Sequence, residues 1–341
     1  MPPKLLFTID VEEDMPQWRV QDPITVHNVR VLPKLAEICR KAGVSPTYLC
    51  TYPMVTQRES AGILRKLHQE GGCEVGMHLH PWNSPPFLGV PGKRFDERTT
   101  PYYQSDLDED RLRRKLTTLH EAIGELSGSA PKSFRAGRFG MSNAAMRVLI
   151  ELGYEADTSV TPLVHHFEDG GPDYRRAPMV PYLPSAQDFR KRGDLPIVEI
   201  PVSISLTRPL SARVQRAYAR IPQKTRIRGL LSRDYLHIVD FAWLYPARFD
   251  ESLLKRCADA IVKSKNPVLN IFLHSSELMA GKSSYIETEA DAAECLRRIR
   301  ALLEYCVKEL DAQPATLTEA ARALRPSLGP ATSAKRHKTV R

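Results

Sequence analysis

The sequence predicts an α/β fold of about seven strands with intervening helices, arranged either as a (β/α) barrel or as a doubly wound sheet. Two observations lead there. Short apolar segments alternate along the chain with longer stretches of helical periodicity, the pattern of βα units and a parallel sheet. Unusual polar residues also stand where five of those segments end, at the edge where parallel α/β folds gather reactive groups.

The elements follow in order. LLFTI (5–9) reads as a buried strand, apolar and partly β-branched. Residues 29–42 are helical in pattern, with Pro33 near the start and Gly43 as a C-terminal cap. Residues 47–50 form a second strand, 60–69 a helix stopped by Gly71 and Gly72, and 73–77 a third strand. A Pro- and Gly-rich irregular stretch runs from 81 to about 101. A strong helix follows at 106–126, with Asp and Glu in its first turn. Next come a strand near Ser133, a helix at 142–152 and a strand at 154–157. LPIVEIPVSI (195–204) reads as a β segment, 253–264 as a helix, PVLNIFLHS (267–275) as a buried strand and 288–310 as a long helix. There is no internal repeat.

At 341 residues, 42% of them hydrophobic, and with a mean hydropathy of -0.35, the composition is that of an ordinary globular chain. No stretch approaches the ~18 consecutive apolar residues of a membrane span, and the first residues lack a secretion pattern. The six cysteines are scattered without a Cys-x-x-Cys pair, as expected for free thiols in a reducing cytosol. The net charge of +9 is concentrated in two acid-free segments: eight Lys and Arg between 208 and 233, and five between 325 and 341. Without them the body is mildly acidic, which argues against a wholly basic nucleic-acid-binding surface; no aromatic-basic interleaving is evident either.

The polar strand ends sort themselves by chemistry. The first strand delivers Asp10 and Glu12 within IDVEED; such carboxylates also cap helices, and Glu13 and Asp14 read as surface or capping residues. The third delivers EVGMHLHPW, with His78 and His80. In extended backbone, residues i and i+2 point to one side, so these imidazoles and Glu12 make a facial ligand set for zinc or a similar divalent ion. Asp10 is then placed as general base toward a water acidified by the ion, and Arg135 of SFRAGRFG as its bidentate partner. His274 of IFLHSSEL is the candidate general acid, and Asp157 of GYEADTS the residue that fixes its tautomer or charge. This is the residue set of metal-assisted amide or ester hydrolysis.

These segments, in this order, resemble the five motifs of the polysaccharide deacetylases with a NodB-homology domain, carbohydrate esterase family four, with the nearest likeness to the WalW-like branch. TIDVEED resembles the first motif, EVGMHLHP the second, FRAGRFG the third and IFLHSSE the fifth, while GYEADTS stands where the fourth lies. The resemblance spans residues 5 to about 310. It implies a distorted (β/α) barrel of about seven parallel strands with inserted loops, a divalent metal (zinc first, cobalt or nickel as alternatives) and removal of N- or O-acetyl groups from sugars. It also implies an aromatic wall to the groove, for which Trp82 and Phe139 are candidates beside a packing role. Arg138 is then a candidate for a sugar oxygen or anionic group, or a structural salt bridge. Two departures stand out: Val11 separates the two acids of the first motif, and the histidines are two residues apart rather than four.

The expected organisation is one such domain at 1–324, with a basic helical insertion at about 205–235, followed by a basic disordered tail at 325–341. Arg213, Arg216, Arg220 and Lys224 fall on one helical face, either a solvated face or one that lies on anionic lipid. The expected substrate is an acetylated sugar or glycan, free or lipid-linked, in surface-polysaccharide or lipopolysaccharide biosynthesis. The expected place is the cytoplasm or the inner face of the membrane. Two other readings fit the residues: a metal-dependent amidohydrolase acting on a small C–N substrate, and an inactive barrel that binds glycan.

Overall fold

The strand β1 (Lys4–Val11) is the hub of the sheet in a computed structural model that describes residues 2–167, 170–221 and 240–329. It pairs in parallel with β9 (Val268–His274), Lys4 opposite Val268 and Asp10 opposite His274. Its other edge pairs with β2 (Thr47–Cys50) from Thr8 onward, and at Lys4 and Leu5 with the short β10 (Gln313–Pro314). From β2 the sheet continues through β3 (Glu74–Leu79), β4 (Ser133–Ala136), β5 (Ala156–Asp157) and β6 (Val198–Glu199), every pairing parallel. The result is the expected α/β fold: a curled half-barrel of seven parallel strands from β9 to β6.

No ladder joins β6 to β9 among the described residues, and a buried side chain spans that gap. Asn270 of β9 donates Nδ2 to Thr158 Oγ1 at 2.8 Å, and its backbone N–H donates to Ser203 Oγ at 2.8 Å. Its Oδ1 accepts from Thr8 Oγ1 at 2.9 Å. The segment 195–204, which reads as one strand, is only partly so. After β6, Pro201 has no N–H for a ladder, and the chain turns into β7 (Ile204–Leu206), which pairs antiparallel with β8 (Phe241–Trp243).

Helices α1 (Leu32–Lys41), α2 (Tyr52–Thr56), α3 (Arg58–Gln69), α4 (Glu109–Ser127), α5 (Asn143–Glu151), α6 (Ala212–Ala219), α7 (Glu251–Lys263) and α8 (Glu289–Lys308) follow in chain order. α4 shows why these residues form them. Asp108 accepts the Arg111 N–H at its start, Leu112, Leu116, Leu119 and Ile123 bury one stripe, and Gly128 at φ 76° ends it. The first helix begins at Leu32 rather than 29, because Pro33 fits only its first turn and residues before it form a 3-10 turn, His27–Val31.

The final helix α9 (Leu317–Leu328) has no counterpart in the sequence reading, and it continues past 325, where a tail was expected; residues from 330 lie outside the described set. Its Leu317, Ala320 and Ala321 pack against Leu6, Leu49, Ala156, Val198 and Val268, which line the lower end of the curled sheet. That apolar plug leaves the other end, at the carboxyl ends of the strands, as the open one. Strand alternation then sets a gradient along the inner face of β1: Leu6 in the plug, Thr8 at the Asn270 bridge, Asp10 toward the opening. Much of the basic insertion, residues 222–239 including Lys224, lies outside the described residues; Arg213 and Arg216 are on α6 and Arg220 caps its end.

Candidate active site

A cavity of about 490 Å³ opens at the carboxyl ends of the strands. Asp10 and Glu12 from β1 and its end, His78 and His80 from β3, and His274 from β9 all line it. The spacing of two brings the histidine rings to one side, with centroids 4.7 Å apart. Gly137 makes room for this: a Cβ there would lie 2.5 Å from Leu79 O and 2.6 Å from His80 Cδ2.

The donor set suits a divalent cation. Ligand atoms of Glu12, His78 and His80 all lie within 4.8 Å of one another, and all three residues are buried. Glu12 Oε2 is 3.4 Å from His80 Nε2 and 3.8 Å from His78 Nε2, against the ~3.4 Å that two ligands of one tetrahedral zinc keep. Each imidazole is held by its far nitrogen: His78 Nδ1 faces Arg135 O at 3.0 Å, and His80 Nδ1 faces Glu13 Oε1 at 2.9 Å. Donation from both Nδ1 atoms leaves both Nε2 lone pairs turned toward Glu12. Burial pushes His78 down to about 3, so it is neutral and ready to ligate.

Glu13 is therefore not the surface or capping residue its position suggests. It is 1% exposed and, besides His80, accepts from Trp82 Nε1 at 3.2 Å and Thr51 Oγ1 at 3.2 Å. Burial alone would raise its carboxyl, but the adjacent His80 outweighs that and holds it at about 2. Asp14 does cap, from a buried position: its carboxylate accepts the backbone N–H of His27 at 3.1 Å and of Asn28 at 3.0 Å.

Asp10 is paired with Arg135, through one contact and not two: Nη1 donates to Asp10 Oδ1 at 2.7 Å, while Nη2 goes to Thr8 Oγ1 at 2.6 Å and Nε to Thr158 O at 3.0 Å. Burial would raise the Asp10 carboxyl, but the guanidinium and His78 hold it below its ordinary value. Among the described residues Glu12 pairs with no arginine or lysine, and burial pushes it up to about 7. A cation among these donors would meet a carboxylate that only the imidazoles of His80 and His274 offset.

His274 faces this cluster with a different partner from the one expected. Its Nδ1 lies 3.1 Å from Tyr245 Oη and 3.2 Å from Glu277 Oε1, and Tyr245 Oη also donates to Glu277. Burial would lower His274, but Glu277 first, with Glu12 and Asp10, more than reverses that and raises it to about 9. Asp157 points the other way. Ala156 and Val198 face the plug inside the barrel, so their neighbours Asp157 and Glu199, register partners on β5 and β6, face outward. Asp157 accepts from Ser159 Oγ at 2.6 Å, and burial raises both carboxyls above their ordinary values.

The remaining expected residues line the cavity in different ways. Trp82 is 1% exposed and stacked on His80, with centroids 4.2 Å apart, so it braces a ligand more than it offers a face. Phe139 packs on Phe272 at 5.2 Å, and the Arg138 guanidinium lies over the Tyr103 ring at 4.3 Å while donating to Pro101 O at 3.1 Å. Sequence reasoning missed Trp18, Tyr103, His166 and Tyr285 on the walls, and Glu277 below. Glu277 had a signal, the three-residue spacing that also lets its Oε2 accept the His274 N–H at 3.0 Å. Trp18 had none, because it reaches the cavity through two successive residues of positive φ, Gln17 at 54° and Trp18 at 57°.

Fold and donor set together define an α/β half-barrel with a buried two-histidine, one-carboxylate cluster at its open end. The same fold occurs in solved structures. A Mycobacterium smegmatis protein assigned as a polysaccharide deacetylase superposes with a TM-score of 0.55 at 19% identity, covering 96% of this chain and 92% of that one. A Parabacteroides distasonis protein assigned as a glycoside hydrolase/deacetylase gives 0.61 at 14%, covering 95% and 72%. The Puue allantoinase gives 0.54 at 11%, covering 96% and 92%. At such identities the likeness is one of fold. No family model matches the chain, and no curated protein matches its sequence. Among the described residues no helix is long and apolar enough to cross a membrane.

Proposed function

We propose that the protein is a metal-dependent hydrolase that removes an acetyl group from the nitrogen or oxygen of a sugar or glycan. The observation that carries this reading is the convergence of the Glu12, His78 and His80 donor atoms between Asp10 and His274 in one cavity. The deacetylase names of two fold neighbours support it. Glu12, His78 and His80 hold the cation, zinc first and cobalt or nickel next by the softness of an imidazole-carboxylate set. When bound, it supplies positive charge at the reacting oxygens and makes water easier to deprotonate.

The chain's own residues do the rest. Asp10, kept ionised by Arg135, takes a proton from the attacking water. His274, kept charged by Glu277, delivers a proton to the departing amine or alkoxide. Trp18, Phe139 and Tyr285 give the walls an apolar surface suited to a sugar ring and an acetyl methyl. The WalW-like resemblance extends the proposal to surface-polysaccharide or lipopolysaccharide substrates, free or lipid-linked, with the basic segment 208–233 resting on anionic membrane at its cytoplasmic face. The domain is proposed to reach the end of α9.

The test is metal content by mass spectrometry for the wild type, His78→Ala and Glu12→Ala, followed by acetate release from acetylated amino sugars and glycans. About one metal per chain, lost in both variants, together with acetate release supports the reading. A wild type that binds no metal after reconstitution overturns it in favour of a barrel that binds glycan without cutting. The allantoinase neighbour favours one second reading, hydrolysis of a small C–N substrate, and turnover of allantoin without acetate release would select it.

A further inference from the structure

At the opposite end of β9 from His274, two clefts share a wall. One, of about 390 Å³, is lined mainly by apolar groups, among them Ile204, Pro209, Leu210 and Ile261. The other, of about 450 Å³, is lined by five cations, Arg176, Arg190, Lys191, Arg192 and Arg216. Met179, Val180 and Ala212 line both, so the two adjoin. Asn266 in the apolar cleft precedes β9 and His274 ends it, a separation of roughly 25 Å along extended chain. None of these lining residues borders the cavity of the candidate active site.

The basic cleft is assembled from three separate segments. Arg176 follows Tyr174, Arg190 to Arg192 sit on a strip bridged to Pro184, and Arg216 is on α6. One carboxylate, Asp188, serves two of the cations, with its Oδ1 2.8 Å from Arg190 Nε and its Oδ2 3.2 Å from Lys191 Nζ. Arg176 and Arg192 are exposed, and among the described residues neither pairs with a carboxylate. Arg216 donates to Ala177 O at 3.3 Å and leaves its buried Nε without a partner. Four arginines and a lysine gathered on a concave surface, with Asp188 the one carboxylate in direct contact with any of them among the described residues, repel each other until a multivalent oxyanion binds; forked guanidinium groups match a phosphate.

We propose that these clefts bind a phosphorylated amphiphile: the phosphate among Arg176, Arg190, Arg192 and Arg216, the first part of an alkyl chain along Leu210, Ile204 and Ile261. The apolar cleft gives the site its preference over free phosphate, and the guanidinium groups its preference over zwitterionic lipid. The site does not depend on the reaction proposed for the other end of the barrel.

The test is calorimetric titration of the full-length chain with dihexanoyl phosphatidic acid kept monomeric, with inorganic phosphate and with dihexanoyl phosphatidylcholine, beside flotation with phosphatidic acid vesicles. The phosphatidic acid is expected to bind at least about tenfold more tightly than either of the others, since each charge-assisted contact and each few buried methylenes contribute that much. Arg176→Ala with Arg192→Ala, both at exposed positions, is expected to remove about tenfold or more of it with metal content unchanged. Leu210→Asp is expected to lower phosphatidic acid binding toward the phosphate level. Equal binding of phosphate and phosphatidic acid, or undiminished binding by the arginine variant, overturns the proposal. Vesicle flotation without binding of the monomer overturns it as well, and assigns the contact to a membrane surface.

Discussion

Glu13 accepts a hydrogen bond from Nδ1 of His80 at 2.9 Å, at a position one residue beyond the carboxylate that faces His80 Nε2 from the other side. Two neighbouring acids thus hold opposite edges of one imidazole, Glu12 in the donor cluster and Glu13 behind it. The second interaction fixes which nitrogen carries the proton, and it does so in a buried setting where a wrong tautomer has no water to compensate.

Replacing Glu13 by Gln should therefore weaken metal binding while leaving the three donors in place. The expected loss is roughly ten- to a hundredfold, the usual cost of removing the partner of a ligating histidine. Competition with a chelator of known zinc affinity measures it. Unchanged affinity in Glu13→Gln would show that Trp82 stacking alone orients His80.

The pair His274 and Glu277 predicts a pH dependence. The Glu277 carboxylate, with Glu12 and Asp10, raises His274 to about 9, so the imidazolium persists through neutral pH and is lost as pH rises through that value. Glu277→Gln removes the charge and leaves burial, which lowers the imidazole. The His274 titration, followed by NMR of the ring protons, should move down by at least about one unit, and the alkaline limb of hydrolysis should move with it. A titration that stays in place would assign the raised value to Glu12 and Asp10 instead.

Much of this site was legible in sequence because alternation does the work. Asp10 and Glu12, and His78 and His80, share faces by the period of two, and apolar runs at 5–9 and 267–275 locate the strands that carry Asp10 and His274. The same rule, applied to register, would have turned Asp157 away. What hid it was the length of β5: with two paired residues, the parity of Ala156 and Asp157 is set by the plug packing at Ala156 and not by any visible pattern. Glu13 was misplaced for a related reason. Its neighbours alternate in and out only while the strand lasts, and β1 ends at Val11. α9 escaped notice because two of its four buried residues are short alanines, Ala320 and Ala321, whose burial depends on strand residues from across the sheet.

Gly137 offers a test of crowding beneath the metal cluster. Gly137→Ala places a methyl against Leu79 O and the His80 ring, both closer than van der Waals contact. The barrel is expected to lose about 1–3 kcal/mol of stability, the range for overpacked interiors, and zinc affinity should fall with it. Denaturant unfolding of the metal-free protein separates the two effects. Full stability with full affinity would mean that β3 and β4 can move apart.

The outward carboxyl pair makes a prediction about stability alone. Asp157 and Glu199 are buried side by side on β5 and β6, and burial, together with the adjacent Asp157, raises Glu199 well above its ordinary 4.5. The folded chain therefore holds a proton that the unfolded chain releases near 4.5. Stability from that proton is complete below 4.5 and is lost progressively as pH rises toward the folded value. Glu199→Gln keeps a hydrogen-bond donor facing Asp157 without needing the proton, so the variant should lose less. At pH 5 the two proteins should melt within about 1 °C of each other, whereas at pH 8 the variant should melt higher by about 2 °C for each kcal/mol recovered. Calorimetric scans at both pH values measure the difference. A variant that melts lower at pH 8 by as much as at pH 5 would mean that Glu199 holds no such proton, and that it acts through its contact with the Val160 N–H at 3.1 Å.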